Sequence, residues 1–597
     1  MANSSNNRSH FERLKAAFDA DGYGIEKYVE DGGKYGIRAA HREAVNYDTR
    51  RPKLAFYLEG TPYEMGYQVG RLAEEEIARM TTTFVKNVPI DFVFPGLPDT
   101  LKEEIGDIII EISGPSIKKL AASEAIPKYF NEQIMGILAG CQKVKPDTKV
   151  TLDGLQALNY GIDVICSFLY HGHFFEEKGI LPSYLKIPMM CNAFSLSGGV
   201  VEGDHHYFGR DFMFVTGGVF QDTACLMIYN PDQAFNGIKA LPSVIQSAPG
   251  MVGSISGVNI NGVAMGVDIS PSAACDPENP GLGSLLMVRH CVALGKDARA
   301  AVERIKEAKR GVSWTYPFAD GNTGKAGVVE AIKSIRFDTV GKLAKYYHAI
   351  PLEKPTLLPL KLLMGPFISG LKNHLPNAAF IKTHMQQFDE LKTGIFTRWN
   401  TYQYPAEYLD YDTDLWDYYN KMFWFLGIKH LHDDALTPEG FINRHIKGNK
   451  TEENCPSSYY FAPQREMNPD IVLATNHFIS PELRFTNMNY WSAMLMNLSG
   501  LNDDIQWRYD ALNKRIREAL AEGPINKETA LELIDFLNPG AGKFPLYYED
   551  NPRSQDGKEI CIKGSVSLFD LKEKTIDSLF GYYCDKWVTV TLPRYFD

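Results

Sequence analysis

Residues 11–190 read mainly as helix and connector, with apolar positions spaced for one-sided burial. The clearest start is Thr61-Pro62-Tyr63-Glu64: Thr61 caps, Pro62 suits the first helical position, and Glu64 closes a capping box. The helix is expected to run to about Val88. Gly66 and Gly70, four apart, share a face and permit close approach of another backbone. Further helical patterns lie at 132–141 and, after a cap at Thr151, at 152–163. At Cys191 the pattern changes. CNAFSLS (191–197), HHYFGRDFMF (205–214) and TACLMIY (223–229) are short alternating runs, with glycine turns at Gly198-Gly199 and Gly203-Asp204 between the first two. Two more runs, 252–260 and 262–269, flank the Asn261-Gly262 turn signal, as antiparallel hairpins do. Helical spacing returns at 285–309 and 504–521. Strand-like sequence recurs at 327–331, at 471–478 and from 559 onward.

These elements predict a layered α+β fold, with a helical N-terminal segment (1–190) followed by a sheet-rich part (191–597). Between 332 and 470 the patterning is irregular, with the proline-rich apolar run KPTLLPLKLLMGPF (354–367) and an aromatic cluster at 416–425. This stretch is either an elaboration packed on the core or a lid and wall over an apolar substrate pocket. No internal repeat stands out.

Composition narrows the classes. With 597 residues, 44% hydrophobic and 23% charged, the chain is globular and large enough for one elaborated domain or two to three ordinary ones. A net charge of -11 without long basic runs excludes an electrostatic footprint for nucleic acid. The apolar stretch 357–371 is broken by Pro359, Lys361, Gly365 and Pro366, so no membrane span is expected. No secretory signal is evident, and nine dispersed cysteines without CxxC spacing suit reduced thiols and a cytoplasmic location.

Among those cysteines, Cys191 stands out because it opens the first strong strand after a segment ending Ile187-Pro188-Met189-Met190. Polar groups accompany it: Arg210-Asp211 on the partner strand, Asn259 before the Asn261-Gly262 turn, Asn476 at the end of a later apolar run, and Arg508 on the late helix. Rival chemistries lack their spacing. GSISG (253–257) puts Ile255 where a serine-hydrolase elbow needs serine, and His171, His173, Asp204, His205 and His206 match no zinc pattern, so no metal is expected.

The chain resembles the acyl-coenzyme A:isopenicillin N acyltransferase family (peptidase family C45) of the N-terminal-nucleophile (Ntn) hydrolases. The resemblance is carried by LEGTPYEMGYQVGRL (58–72), EQIMGILAG (132–140), TLDGLQALNYGID (151–163), CNAF (191–194), GRDFMF (209–214), GVNINGV (257–263), TNHF (475–478) and WRYDAL (507–512), in the family's order. It implies an αββα four-layer sandwich, self-cleavage of the Met190-Cys191 bond, and two chains, 1–190 and 191–597, that stay associated. It also implies hydrolysis or acyl transfer at linear amide bonds through a Cys191 thioester. The substrate is then a small acyl amide, with water or another amine as acceptor, and no cofactor is required. The freed α-amine of Cys191 would serve as base, because its ordinary pKa of about 7.7–8.0 is close to neutrality. By the same resemblance, Asn259 and Asn476 are expected to donate to the oxyanion, Arg210 and Asp211 to lie beside the amine, and Arg508 to contact substrate. Two departures are visible: Asn192 follows the nucleophile where a small hydroxyl residue is commoner, and Asp211 is the carboxylate nearest Arg210. Two alternatives stay open. One is an unprocessed Ntn-fold protein that binds a ligand or is structural; the other is a phospholipase B-like or ceramidase-like lipid acyl hydrolase.

Overall fold

The computed structural model describes residues 2–46, 49–93, 99–171, 190–214, 216–235, 237–270, 275–276, 278–333, 393–403, 468–480, 483, 504–535, 565–580 and 586–596. The fold is mixed α+β. The proline-rich run and the aromatic cluster of the 332–470 stretch lie outside the described residues.

Among the described residues, nineteen strands, numbered along the chain, build two large sheets and one short hairpin. They are β1 (Tyr23–Asp31), β2 (Lys34–Val45), β3 (Pro52–Gly60), β4 (Met190–Leu196), β5 (Tyr207–Met213), β6 (Cys225–Pro231), β7 (Ala234–Phe235), β8 (Ile238–Lys239), β9 (Ser243–Ser247) and β10 (Ser256–Asn259). There follow β11 (Val263–Gly266), β12 (Asp268–Ile269), β13 (Trp314–Asp320), β14 (Ala326–Ala331), β15 (Ile395–Trp399), β16 (Ile471–Ala474), β17 (Ser565–Asp570), β18 (Thr575–Phe580) and β19 (Val588–Thr591). The larger sheet has eleven strands in the order β1-β2-β3-β6-β9-β10-β11-β13-β14-β15, with β12 beside β13. The smaller has six, β16-β4-β5-β17-β18-β19. All pairings are antiparallel except β3 with β6.

The first three strands are an unexpected addition to an N-terminal segment whose other described elements are helices. Their charged positions, such as Glu26, Lys27 and Glu30, mask the alternation, because β1 is an edge strand whose outward residues are solvated. The sharp Gly32-Gly33 turn, with both residues at positive φ, lets β1 fold back on β2. From Pro62 onward the segment is helical as expected. The capping box forms, with Glu64 N donating to Thr61 Oγ1 and Thr61 N donating to Glu64 Oε2. The helix stops at Leu72 rather than near Val88, because Ala73 leaves helical geometry (φ -143°, ψ 36°), and helical turns then resume at Glu74.

Gly66 and Gly70 meet the Lys128–Val144 helix, and the fit is reciprocal. A Cβ at Gly66 would sit 2.1 Å from the Gln133 carbonyl oxygen, and one at Gly136 would sit 2.1 Å from that of Tyr63. Gly70 and Gly140 repeat the arrangement at 2.3 Å against Ile137 and Tyr67. Four glycines thus bring two helix backbones together, which offsets their poor helix propensity.

Residues directly opposite in an antiparallel pair share a face, so Cys191, Ala193, Phe208, Arg210 and Phe212 project from one side of the smaller sheet. Except for Arg210, which is polar, these residues join the core of the larger sheet. On the other side Phe194, Leu196, Val566 and Leu568 pack with Tyr509, Leu512, Ile516, Leu533 and Ile534 of the Asp504–Glu522 and Lys527–Asp535 helices. The strand carrying Cys191 is therefore covered on both faces. No helix among the described residues is long and apolar enough to cross a membrane.

Candidate functional site

The smaller sheet places Cys191 in its second strand, with Asn476 just past the end of the neighbouring β16. The backbone N–H of Cys191 donates to Asn476 Oδ1 at 2.7 Å, and Asn476 Nδ2 donates to the Ile269 carbonyl of the larger sheet at 2.8 Å. One amide side chain thus ties the bond after Met190 to both sheets. Cys191 and Asn476 are fully buried.

Arg210 lies on the Cys191 face, two pairing positions away, opposite Ala193. Its guanidinium reaches across to the larger sheet and pairs with Asp268, Nη2 to Oδ1 at 2.8 Å, with neither side chain exposed. It also donates to the backbone carbonyls of Asn192, at 3.2 Å, and of Asp211 and Val267. Gly266 makes room for it, since a Cβ there would lie 2.7 Å from Arg210 Cδ. Buried guanidinium groups are found paired, because an uncompensated charge out of water is costly.

Asp211 does not share that location. As the next residue along β5 it points to the helical side of the smaller sheet, where Oδ2 accepts from Asn192 Nδ2 at 3.3 Å. The expected Arg210–Asp211 pair beside the amine is thus corrected: strand alternation separates the two side chains, and the carboxylate that meets Arg210 is Asp268. That residue escapes sequence inspection because a single acid in VAMGVDIS reads as the polar position of a strand; Gly266 two places before it is the available signal.

Asn259 is also corrected. Its Nδ2 donates to the carbonyls of Val292 and Gly295 at 2.9 and 2.8 Å, and its Oδ1 accepts from the backbone N–H groups of Asn261 and Val263. Both amide hydrogens are used at the C-terminal end of the Ser284–Leu294 helix, leaving none for an oxyanion. Asn259 therefore builds the Asn261-Gly262 turn and docks it on that helix. Arg508 falls on the Asp504–Glu522 helix, and its side chain lies outside the described residues.

Residues of the 151–163 motif do structural work near the same sheets. Asn159 accepts from Val252 N at 2.7 Å and donates to the Gly250 carbonyl, which fixes the loop before β10. Asp163 accepts from Ser284 N at 2.9 Å, capping the Ser284–Leu294 helix, and burial pushes its carboxyl up to about 6. The histidine-rich turn is likewise paired within the fold. His205 bonds Asp570 and His206 bonds Ser195, both at 2.7 Å, while Asp204 pairs with Lys572. Among the described residues no cluster of His, Cys, Asp and Glu is arranged to hold a metal ion. The described cysteines 141, 166, 191, 225, 275 and 291 are buried and form no disulfide among the described residues, and burial raises the thiols of Cys141 and Cys275 to about 12. Such thiols are inert packing groups at neutral pH.

No protein-family model matches the chain. The chain is similar to an uncharacterized protein of Archaeoglobus fulgidus, at 25% identity over 563 residues that cover 93% of this chain and 68% of the other.

Proposed function

We propose that the protein is a self-processing hydrolase or acyltransferase that uses Cys191 as an N-terminal nucleophile on linear amides, in the manner of the C45-like Ntn enzymes it resembles. The observation that carries the reading is the backbone nitrogen of Cys191, gripped by Asn476 Oδ1 at 2.7 Å while Arg210 shares its strand face. A grip on that nitrogen has a purpose if the nitrogen becomes an amine. The layering is compatible: helices pack on the outer face of the Cys191 sheet, and its inner face packs on the larger sheet. We read this as the helix-sheet-sheet-helix order of an Ntn sandwich.

In self-cleavage the Cys191 thiol attacks the Met190 carbonyl carbon. A C–S bond forms, the C–N bond breaks, and the thiol proton ends on the departing nitrogen, giving the α-amine and a thioester. Water then hydrolyses the thioester and frees the Met190 carboxylate. In turnover the amine takes the thiol proton as sulfur adds to the substrate carbonyl, and returns it to the leaving amine. Asn476 Oδ1 would hold the amine after the cut as it holds the amide before it. With both Asn259 amide hydrogens used, Asn476 Nδ2 is the side-chain donor we assign to the oxyanion. Residues 1–190 remain as the first chain, and the location is cytoplasmic.

The test is denaturing intact mass of fresh protein beside a Cys191→Ala variant. The wild-type chain should split into pieces of about 21 and 46 kDa, in proportion to residue number, with Cys191 at the new terminus, while the variant stays whole. If both remain whole under every condition tried, the self-activating reading is lost and ligand binding without processing takes its place.

A further inference from the structure

Asn476 sits on a short arc, Leu473 to Ser480, that leaves the end of β16. Both ends of the arc are held by one buried ion pair from the larger sheet. Glu330 of β14 and Arg398 of β15 share a sheet face, since Arg398 lies opposite Val328, two residues before Glu330. Arg398 Nε donates to Glu330 Oε1 at 2.7 Å, and both side chains are buried. Arg398 Nη2 donates to the Leu473 carbonyl at 3.3 Å, at the start of the arc. Glu330 accepts at its far end from Ile479 N at 2.9 Å, from Ser480 N at 3.1 Å and from the Ser480 hydroxyl. Asn476 lies three residues from either set of contacts. These contacts use both carboxylate oxygens.

A buried carboxylate is costly unless its oxygens are satisfied, and this one is satisfied largely by the arc itself. Moving the arc by an ångström would strip Glu330 of backbone donors, so the arc has one low-energy position. We propose that Glu330 and Arg398 are positioning residues that fix Asn476 against the Cys191 nitrogen, a role that rests on the reading of Cys191 as an N-terminal nucleophile. Neither residue touches the reacting atoms. Their influence runs through the hydrogen bond from Cys191 N to Asn476 Oδ1, the contact through which the smaller sheet and the arc meet at the reacting bond.

The experiment combines a rate cycle with an exchange measurement. Self-cleavage is timed by mass for the full-length wild type, Glu330→Gln, Asn476→Ala and the double variant, with Arg398→Lys as a second single change that keeps the charge but loses the reach to Leu473. Displacing a reacting group by about 1 Å costs on the order of a hundredfold in rate, so each single variant should slow by about tenfold to a hundredfold. Glu330→Gln should add nothing once Asn476 is alanine, because it acts through that side chain. In parallel, the whole-chain Cys191→Ala protein is examined by hydrogen exchange with and without Glu330→Gln. The residue 191 amide should lose protection along with the 471–480 segment. The inference is overturned if the two rate effects multiply, or if 471–480 loosens while the 191 amide keeps its protection. If wild type never splits but the exchange result holds, the clamp stands and the function proposed above falls. If wild type splits and the effects multiply, the reverse is true.

Discussion

Arg210 and its two neighbouring acids show how much depends on single-residue alternation in a strand. Asp211 is adjacent in sequence but turned to the helical side, whereas Asp268, 58 residues on, shares a 2.8 Å contact with the guanidinium. Removing one partner of a buried ion pair leaves an uncompensated charge and costs about 3–5 kcal/mol. Asp268→Asn should therefore lower the urea midpoint strongly and suppress self-cleavage. Asp211→Asn removes a charge from a carboxylate that meets a neutral amide, and should cost about 1–2 kcal/mol while cleavage persists. Urea titration with mass-resolved cleavage on the same samples separates the two, and the reverse ranking would return Asp211 to the amine. Of the six candidate side chains, the structure brings Cys191, Arg210 and Asn476 together: Cys191 at the start of its strand, Arg210 within the partner strand and Asn476 just past the end of β16. Asp268 and the Glu330–Arg398 pair were not legible. Their partners lie across a sheet interface, and nothing in local sequence records which strands will face one another.

Among elements, the strands after Cys191 were readable because alternation and glycine turns coincide there, as at Gly262, whose positive φ suits the turn into β11. β1 to β3 were obscured by charges on an edge, and β13 by lying buried on both faces, where alternation disappears. The glycine-bearing helix pair is the clearest case of a sequence feature finding its physical reason. Gly136→Ala would drive a methyl group into the Tyr63 carbonyl at 2.1 Å, and we expect a loss of about 2 kcal/mol or more from overpacking. Gly161→Ala is the matched control inside the Leu152–His171 helix. Its Cβ would meet only Ile117 at an ordinary 3.6 Å, so the change should be neutral or stabilise by up to about 1 kcal/mol. Urea midpoints of the two variants check the contrast; similar losses in both would mean that helix contact is not the reason for the glycines.

Across the molecule, the Met190-Cys191 bond divides the chain but not the fold. The larger sheet takes β1, β2 and β3 from before the bond and its remaining strands from after it, and they join where β3 runs parallel to β6 from Leu54–Cys225 to Gly60–Pro231. Residues of β3, among them Phe56, Tyr57 and Leu58, are fully buried at this junction. A second tie closes the far edge: Asp21 accepts from Thr591 N at 2.9 Å and from Tyr595 Oη at 3.0 Å, and pairs with Arg594. Cutting the bond would leave all of these contacts in place, while separating the pieces would expose an open sheet edge and the apolar side chains behind it. Cleaved protein should therefore elute as one species of about 67 kDa under native conditions, even when denaturing mass shows two pieces. Residues 191–597 expressed alone should aggregate or remain partly unfolded, and co-expression with 1–190 should restore soluble protein. A soluble, cooperatively unfolding 191–597 fragment would show instead that the first three strands are dispensable. In that case residues 1–190 would be a removable pro-segment rather than an integral part of a shared sheet.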